Sequence, residues 1–368
     1  MSGTPYIKLT VEGIDITNRL LAVELDEDEW RADAFAFSLH DTDPIYIDAI
    51  HEGMSVEVEM GHPDDHPIVF RGLIWRIEAE FRRGRGPVVT FHAMDAISRL
   101  GSAPKTQRHW GLPIAVVVAK LAAACGALPG EIRVPGDTAA PLDLPVQQSG
   151  ETDQAFLFRM AERYGCRAFV EHAGPVDKLH FLPVADLVAR QPLNLDITFP
   201  STINRFAPSF DATHTEKGRR LITADRSTGE ALDALEGKPR NDPAAQWLPH
   251  PDTLDHVGEE DRPIVSQLLA KGAAHMLNPM QRWPEPRDVK GAASRLSGDA
   301  PPVYVDQSRW QGMLAWAEGP GCHLMRPRFN IIVEGVGGRF SGPWYMTRVI
   351  HQMDVRERDY TIRFACRR

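Results

Sequence analysis

No apolar run in this chain approaches the roughly 20 residues that a membrane-spanning helix needs. The best candidate, Leu112 to Cys125, is too short and is interrupted by Lys120, so insertion into a membrane is not expected. Cysteine is equally scarce. The four present (Cys125, Cys166, Cys322, Cys366) are widely separated and form no CxxC pair, which excludes a zinc knuckle or a disulfide framework and fits a reducing compartment. The N-terminus, Met1-Ser2-Gly3-Thr4-Pro5, has no basic stretch leading into an apolar core. A signal peptide is therefore not expected, and assembly in the cytoplasm is. Positive charge is in deficit: 41 Lys and Arg face 50 Asp and Glu, a net charge of -9. General nucleic-acid binding needs the opposite balance. The local basic clusters, Arg82-Arg83-Gly84-Arg85 and Arg367-Arg368, read as a solvated loop and a solvated tail.

Catalytic signatures are missing as well. There is no HExxH, GxSxG, GxxxxGK or dinucleotide glycine fingerprint, and no cofactor is implied. His62 and His66, with Asp64 and Asp65, sit in a loop holding two prolines, which presents no regular face to a metal. His250 and His256 flank Pro251 to Asp255 with no third ligand nearby. Cys166 opens an apolar strand, where a thiol is usually buried and inert. A peptidoglycan hydrolase would need two positioned carboxylates or a metal. The acids are plentiful, but one sequence cannot pair them.

What is present is ordinary globular composition, 43% hydrophobic and 25% charged over 368 residues, enough for two or three domains. The first hundred residues alternate with period two. Phe35, Phe37 and Leu39 are one such set, and Val56, Val58 and Met60 between Glu57 and Glu59 are another. This is the pattern of strands with one wet face. A long strand from Ile68 to Phe81 follows the loop at Gly61 to Pro67. From about Pro104 the period changes. Ile114, Val117, Val118, Leu121 and Cys125 define a helix closed by Gly126, and Thr152 caps a second helix ending at Gly165. Leu128 to Gln148 reads as mostly loop, and Arg167 to Glu171 with Lys178 to Leu182 as a hairpin. Strands return at Leu193 to Phe199, Asn204 to Thr213, Asn330 to Glu334, Trp344 to Gln352 and Tyr360 to Cys366. Between 226 and 307 only a helix at Ile264 to Met276 stands out, and Trp310 and Trp316 read as core or interface. The expected class is α+β, mainly β: two related antiparallel β-barrel domains flanking an inserted α+β unit. The boundaries are 1–103 for the first barrel, 104–190 for the α+β unit, and 191–225 with 318–368 for the second barrel. Residues 226–317 form a loop-rich, partly helical insertion.

Several stretches are familiar in kind. Glu334-Gly335-Val336-Gly337-Gly338, Phe340-Ser341-Gly342, Trp344-Tyr345 and Val349-Ile350-His351 together resemble the last domain of the late control D family, the hub proteins of contractile phage baseplates and related injection systems. Thr152-Asp153-Gln154-Ala155-Phe156-Leu157, Ala161-Glu162-Arg163-Tyr164-Gly165 and Lys178-Leu179-His180-Phe181 resemble its middle unit, and Val69-Phe70-Arg71-Gly72 a strand of its first barrel. Cys322 to Arg328 departs from the family's pattern, and 226–307 has no counterpart. The resemblance implies a homotrimeric ring joining a sixfold tail tube protein to a threefold central spike protein, among baseplate wedge proteins. It implies a place in a virion or extracellular injection particle, with DNA or protein cargo passing through without specific binding. Trp344, Tyr345, Arg348, His351, Phe340 and Arg71 are the candidate interface residues. A peptidoglycan hydrolase or a cell-surface-binding module of the tail tip is the alternative.

Overall fold

The structure, a computed structural model, describes residues 5–40, 45–83, 87–109, 111–134, 146–172, 174–210, 219–224, 231–236, 258–263, 265–266 and 313–368. The helix expected at Ile264 to Met276 lies outside the described residues apart from Val265 and Ser266, as do His250, His256 and Trp310.

The first β unit comprises β1 (Tyr6–Val11), β2 (Ile14–Asp15), β3 (Leu20–Asp28), β4 (Ala34–His40), β5 (Ser55–Gly61), β6 (Ile68–Glu80) and β7 (Val88–Met94), with a short helix α1 (Ile45–Ala49). The period-two pattern is what folds it. Phe35, Phe37 and Leu39 of β4, Val56, Val58 and Met60 of β5, and Phe91 of β7 are all buried on one side, while Glu57 and Glu59 stay at the surface edge of theirs.

The α+β unit contains β8 (Lys105–His109), α2 (Ile114–Cys125), β9 (Leu128–Ile132), β10 (Val146–Glu151), α3 (Asp153–Arg163), β11 (Cys166–Glu171), β12 (Lys178–Pro183) and α4 (Val184–Val188). Helix α2 buries its predicted stripe and stops at Gly126, whose φ of 82° lets its N–H reach the Ala122 and Ala123 carbonyls. Thr152 caps α3, its Oγ1 accepting from the Ala155 N–H at 3.1 Å. Phe156, Leu157 and Met160 of α3 pack with Val117 and Val118 of α2 and with Leu179 and Phe181 of β12 in a core of their own. The stretch expected to be mostly loop, Leu128 to Gln148, carries strand at both ends. Strand β9 pairs parallel with β12, and β10 pairs antiparallel with β8. Pro129 and Gly130 hide β9 from a propensity reading, yet proline is tolerated on an edge strand. At Gly130 a Cβ would sit 2.7 Å from the His180 ring, so that close approach needs glycine.

The second β unit is built from β13 (Ile197–Thr198), β14 (Arg205–Phe210), β17 (Met313–Pro320), β18 (Asn330–Glu334), β19 (Gly342–Asp354) and β20 (Asp359–Arg367). A separate two-stranded pair, β15 (Arg219–Ala224) and β16 (Ala231–Glu236), lies between β14 and β17 in sequence. In the first unit the strands lie side by side as β3-β4-β7-β6-β5-β1, and in the second as β14-β17-β20-β19-β18-β13. Chain order and sheet order therefore correspond strand for strand. There are two departures among the described residues: β2 has no counterpart, and β1 pairs antiparallel with β5 whereas β13 pairs parallel with β18. The correspondence reaches single residues. Ile74 bonds through its backbone to Gly53 and Met54, and Met346 bonds likewise to Arg328 and Phe329. Gly53 and Arg328 both have positive φ. A bulge follows Ile74 in β6 and Met346 in β19.

The units are not independent. Strand β19 pairs antiparallel with β3, Arg348 opposite Asp28 through Asp354 opposite Ala22, so the two sets of strands belong to one 13-stranded sheet. A single apolar cluster runs from Leu9 and Phe37 to Trp344 and Phe364.

Candidate assembly surfaces

The candidate interface residues do not share one surface. Trp344 is 1% exposed; its Nε1 donates to the Phe340 carbonyl at 2.8 Å and Phe206 packs edge-on against it at 5.4 Å. Tyr345 is 2% exposed and packs on Leu182 and Leu187, at the foot of the α+β unit. His351 is buried, its Nδ1 2.9 Å from the Tyr360 hydroxyl. These three side chains are buried within the chain: β19 is covered on both faces at Trp344 and Tyr345 and paired along both edges, while Arg348, Gln352 and Asp354 farther along stay partly or fully exposed. Arg348 holds Asp26 with hydrogen bonds of 2.7 and 2.6 Å across the β3–β19 join. Arg71 reaches Glu57 at 2.6 Å and Asp177 at 3.3 Å, tying β6 to the α+β unit. Phe340 is half-buried against the main core. Arg348 and Arg71 thus fasten parts of the chain to one another.

Around them lies a buried ionic seam that sequence reading missed. Glu27 is fully buried and is gripped by Arg326, whose Nε donates at 2.8 Å, with His351 Nε2 at 3.5 Å. Glu29 faces Arg167 at 3.1 Å and Arg367 at 2.6 Å. The Arg167 guanidinium in turn lies 3.5 Å from the centre of the Trp30 ring. Asp33 faces Arg328 at 3.8 Å, and the Asp33 N–H donates to Asp95 at 3.2 Å. Elements distant in sequence, β3, the loop after β17, β11 and β20, meet here. Burial pushes Glu27 up, but Arg326 and His351 outweigh it and hold the carboxyl at about 2. Burial dominates at Asp33 and Asp95. It raises Asp33 well above the usual range against the pull of Arg328, and raises Asp95 to about 6 against the pull of His172.

The signs give opposite pH dependences. Glu27 favours folding above its unfolded value and loses that contribution as pH falls towards 2. Asp95, raised from 3.8 to about 6, favours folding when protonated, and that contribution is lost as pH rises through about 6. The loss is on the order of 3 kcal/mol. Asp95→Asn is therefore expected to gain stability relative to the parent protein between pH 4 and 7, which paired urea titrations across that range measure. Equal slopes for the two proteins would remove Asp95 from the account.

The residues considered for catalysis have structural positions. Cys166 is buried, and burial pushes its thiol up to about 12, where it is a poor nucleophile. His66 stacks on Tyr6 at 4.0 Å and contacts Glu59 at 3.0 Å. The loop of His62 is not a free hairpin tip: Asp65 meets the buried His323 Nε2 at 3.1 Å, so it leans on the second β unit. Among the described residues no helix is long and apolar enough to cross a membrane.

Among the described residues two strand edges are open and carry exposed apolar side chains. Strand β5 pairs with β6 only as far as Leu73. From Trp75 to Glu80, β6 has β7 on one side and, among the described residues, no strand on the other. Trp75 and Phe81 are 52% and 67% exposed there. Strand β14 ends the sheet at the far side, where among the described residues β17 is its one strand partner. Leu314 and Trp316 of β17 stand exposed beside it, so Trp316 is not a core residue. The signal for the β6 edge was in the sequence: Arg76, Glu78 and Glu80 alternate with Ile77 and Ala79. That a 13-residue strand outruns its 7-residue neighbour is visible only once the pairing is known.

No protein-family model and no curated protein matches the sequence. Solved structures do match the fold. The 43 kDa tail protein of prophage MuSo2 from Shewanella oneidensis superposes with a TM-score of 0.62 at 11% identity, covering 99% of this chain and 98% of that one. A tail protein from Neisseria meningitidis gives 0.61 at 16% identity over 100% and 97%. The E. coli c3393 protein is described as a component of the type VI secretion system with structural similarity to T4 bacteriophage tail proteins gp27 and gp5. It gives 0.53 at 12% identity over 98% and 76%. The chain has the fold of these three proteins, mainly β with an α+β unit.

Proposed function

We propose that this chain is the central hub of a contractile-tail baseplate or a related injection particle, a structural protein and not an enzyme. In this reading three copies form a ring that joins a sixfold tail tube to a threefold central spike, with baseplate wedge proteins around it. The observation that carries the proposal is the strand-for-strand correspondence of the two β units. A trimer of such a chain offers six near-equivalent β units, which is what a threefold-to-sixfold adaptor requires, and a closed ring needs only the same two patches on every copy. The fold shared with tail proteins supports the setting. The acidic balance, net -9, suits a bore through which DNA or protein cargo passes without sticking.

Mixing the purified chain with the tail tube protein tests this. Native mass spectrometry is expected to find three copies of this chain with six of the tube protein. A one-to-one complex, or no complex, would refute the adaptor. Clearing of a peptidoglycan gel by the purified chain would favour the hydrolase reading instead.

A further inference from the structure

Within the chain, the two β units meet through β19 of the second and β3 of the first. By the correspondence above, the counterpart of β19 in the first unit is β6, and the counterpart of β3 in the second unit is β14. Those are the strands with unpaired edges among the described residues. The free stretch of β6 is also the equivalent stretch: β3 pairs with β19 after its bulge, and β6 is unpaired after its own. We infer that the end of β6, from Ile77 to Glu80 and continued by Phe81, pairs antiparallel with β14 of a second copy, repeating between chains the join that β19 and β3 make within one.

The intrachain join fixes the register. Matching the bulges places Arg76 with Arg348, and therefore Phe81 with Met353. On the other side, Phe91 and Phe364 are both fully buried and stand opposite Ile77 and Val349. Next in line come Phe37 and Ala317, then Val23 and Phe206. Met353 faces Val23 within the chain, so Phe81 faces Phe206 of the second copy. Ala79 then faces Pro208, and Ile77 faces Phe210. All three inward pairs are apolar. On the outer face Glu78 falls opposite Ser209 and Glu80 opposite Ala207, with Arg205 diagonal to Glu80 at a distance cross-strand neighbours use. Arg82 falls opposite Arg205, a like pair, but each already has its own carboxylate: Glu80 at 2.6 Å and Glu318 at 3.8 Å.

The physical case is a free edge beside an uncovered apolar face. An unpaired strand edge is a template for another strand unless it is blunted. In β6 the inward face runs off the core, from half-buried Ile77 to Ala79 and the exposed Phe81, and no element of the chain covers it among the described residues. Proline at 208 removes at most one donor from the new ladder and discourages indiscriminate pairing of β14. The contact uses different edges on the two copies, which is the heterologous type that closes rings.

The inference rests on the ring proposed above and names its seam, and the test separates the two. In a Cys322→Ser background, Glu80→Cys is placed in one preparation and Ala207→Cys in another, and a short bis-maleimide is added to each and to their mixture. A linked pair of chains is expected in the mixture and in neither preparation alone. Independently, Phe81→Asp is expected to raise the ring's dissociation constant about tenfold or more with an unchanged urea midpoint, because Phe81 is exposed in the single chain. A ring seen by native mass spectrometry without the link, or insensitive to Phe81→Asp, overturns the β6–β14 seam and leaves the ring standing. A chain that stays monomeric with tube protein present overturns both.

Discussion

Replacing Arg326 by methionine is expected to lower the free energy of unfolding by about 3–5 kcal/mol at neutral pH, the range found when one partner of a buried ion pair is removed. Glu27 is fully enclosed, and the charge of Arg326 is the largest single influence that keeps it ionised. Methionine keeps the aliphatic bulk of the arginine stem but supplies no donor. The carboxylate would be left with His351 alone, and the Val69 carbonyl would lose its 3.0 Å donor. Glu27→Gln in the same chain should recover much of the loss, since a neutral amide tolerates the site better than an orphaned charge. Urea unfolding of the parent, the two single variants and the double variant measures the coupling. Additive losses would mean that the two side chains do not depend on each other.

Tyr345→Asp is expected to be comparably severe, costing about 3–5 kcal/mol or preventing recovery of soluble protein, because it forces a carboxylate into an apolar site. Tyr345 packs against Leu182 and Leu187. The carboxylate would also face buried Glu29, whose charge already helps burial hold the Tyr345 hydroxyl above its usual range. Arg367, which lies over the ring at 5.3 Å, is already engaged with Glu29. A urea midpoint within the error of the parent protein would put Tyr345 on the surface. The contrast with Phe81→Asp is informative: the same new charge at an exposed position should spare the fold, since surface substitutions usually stay within about 0.5 kcal/mol.

Tyr345 also shows where sequence reading stopped. The period-two rule takes one face of a strand as wet, and for β4, β5 and β7 that assumption gives the buried residues correctly. Strand β19 is covered on both faces, by the main core at Trp344 and by Leu182 and Leu187 at Tyr345. Neighbours in the chain are then both buried, and alternation no longer tells core from surface. The ionic seam was hidden for a related reason. Glu24-Leu25-Asp26-Glu27-Asp28-Glu29 looks like a solvated acidic run. Yet Glu27 continues the inward register of Val23 and Leu25, and only its partner from another part of the chain, Arg326, makes that burial tolerable. The helices of the α+β unit were legible because stripe and caps are local. Strand β9 was not, because its partner β12 lies far along the chain. The join of β19 to β3 links the two ends of the sequence, and no local pattern announces it.

Electron microscopy of the purified chain bound to tail tube protein tests the central claim most directly. The account predicts a closed ring of three chains in which six β units of alternating kind surround the bore. Every boundary between units should be an antiparallel strand pair, β19 with β3 inside a chain and β6 with β14 between chains. A particle with one copy, a symmetric pair, or an open filament would contradict it.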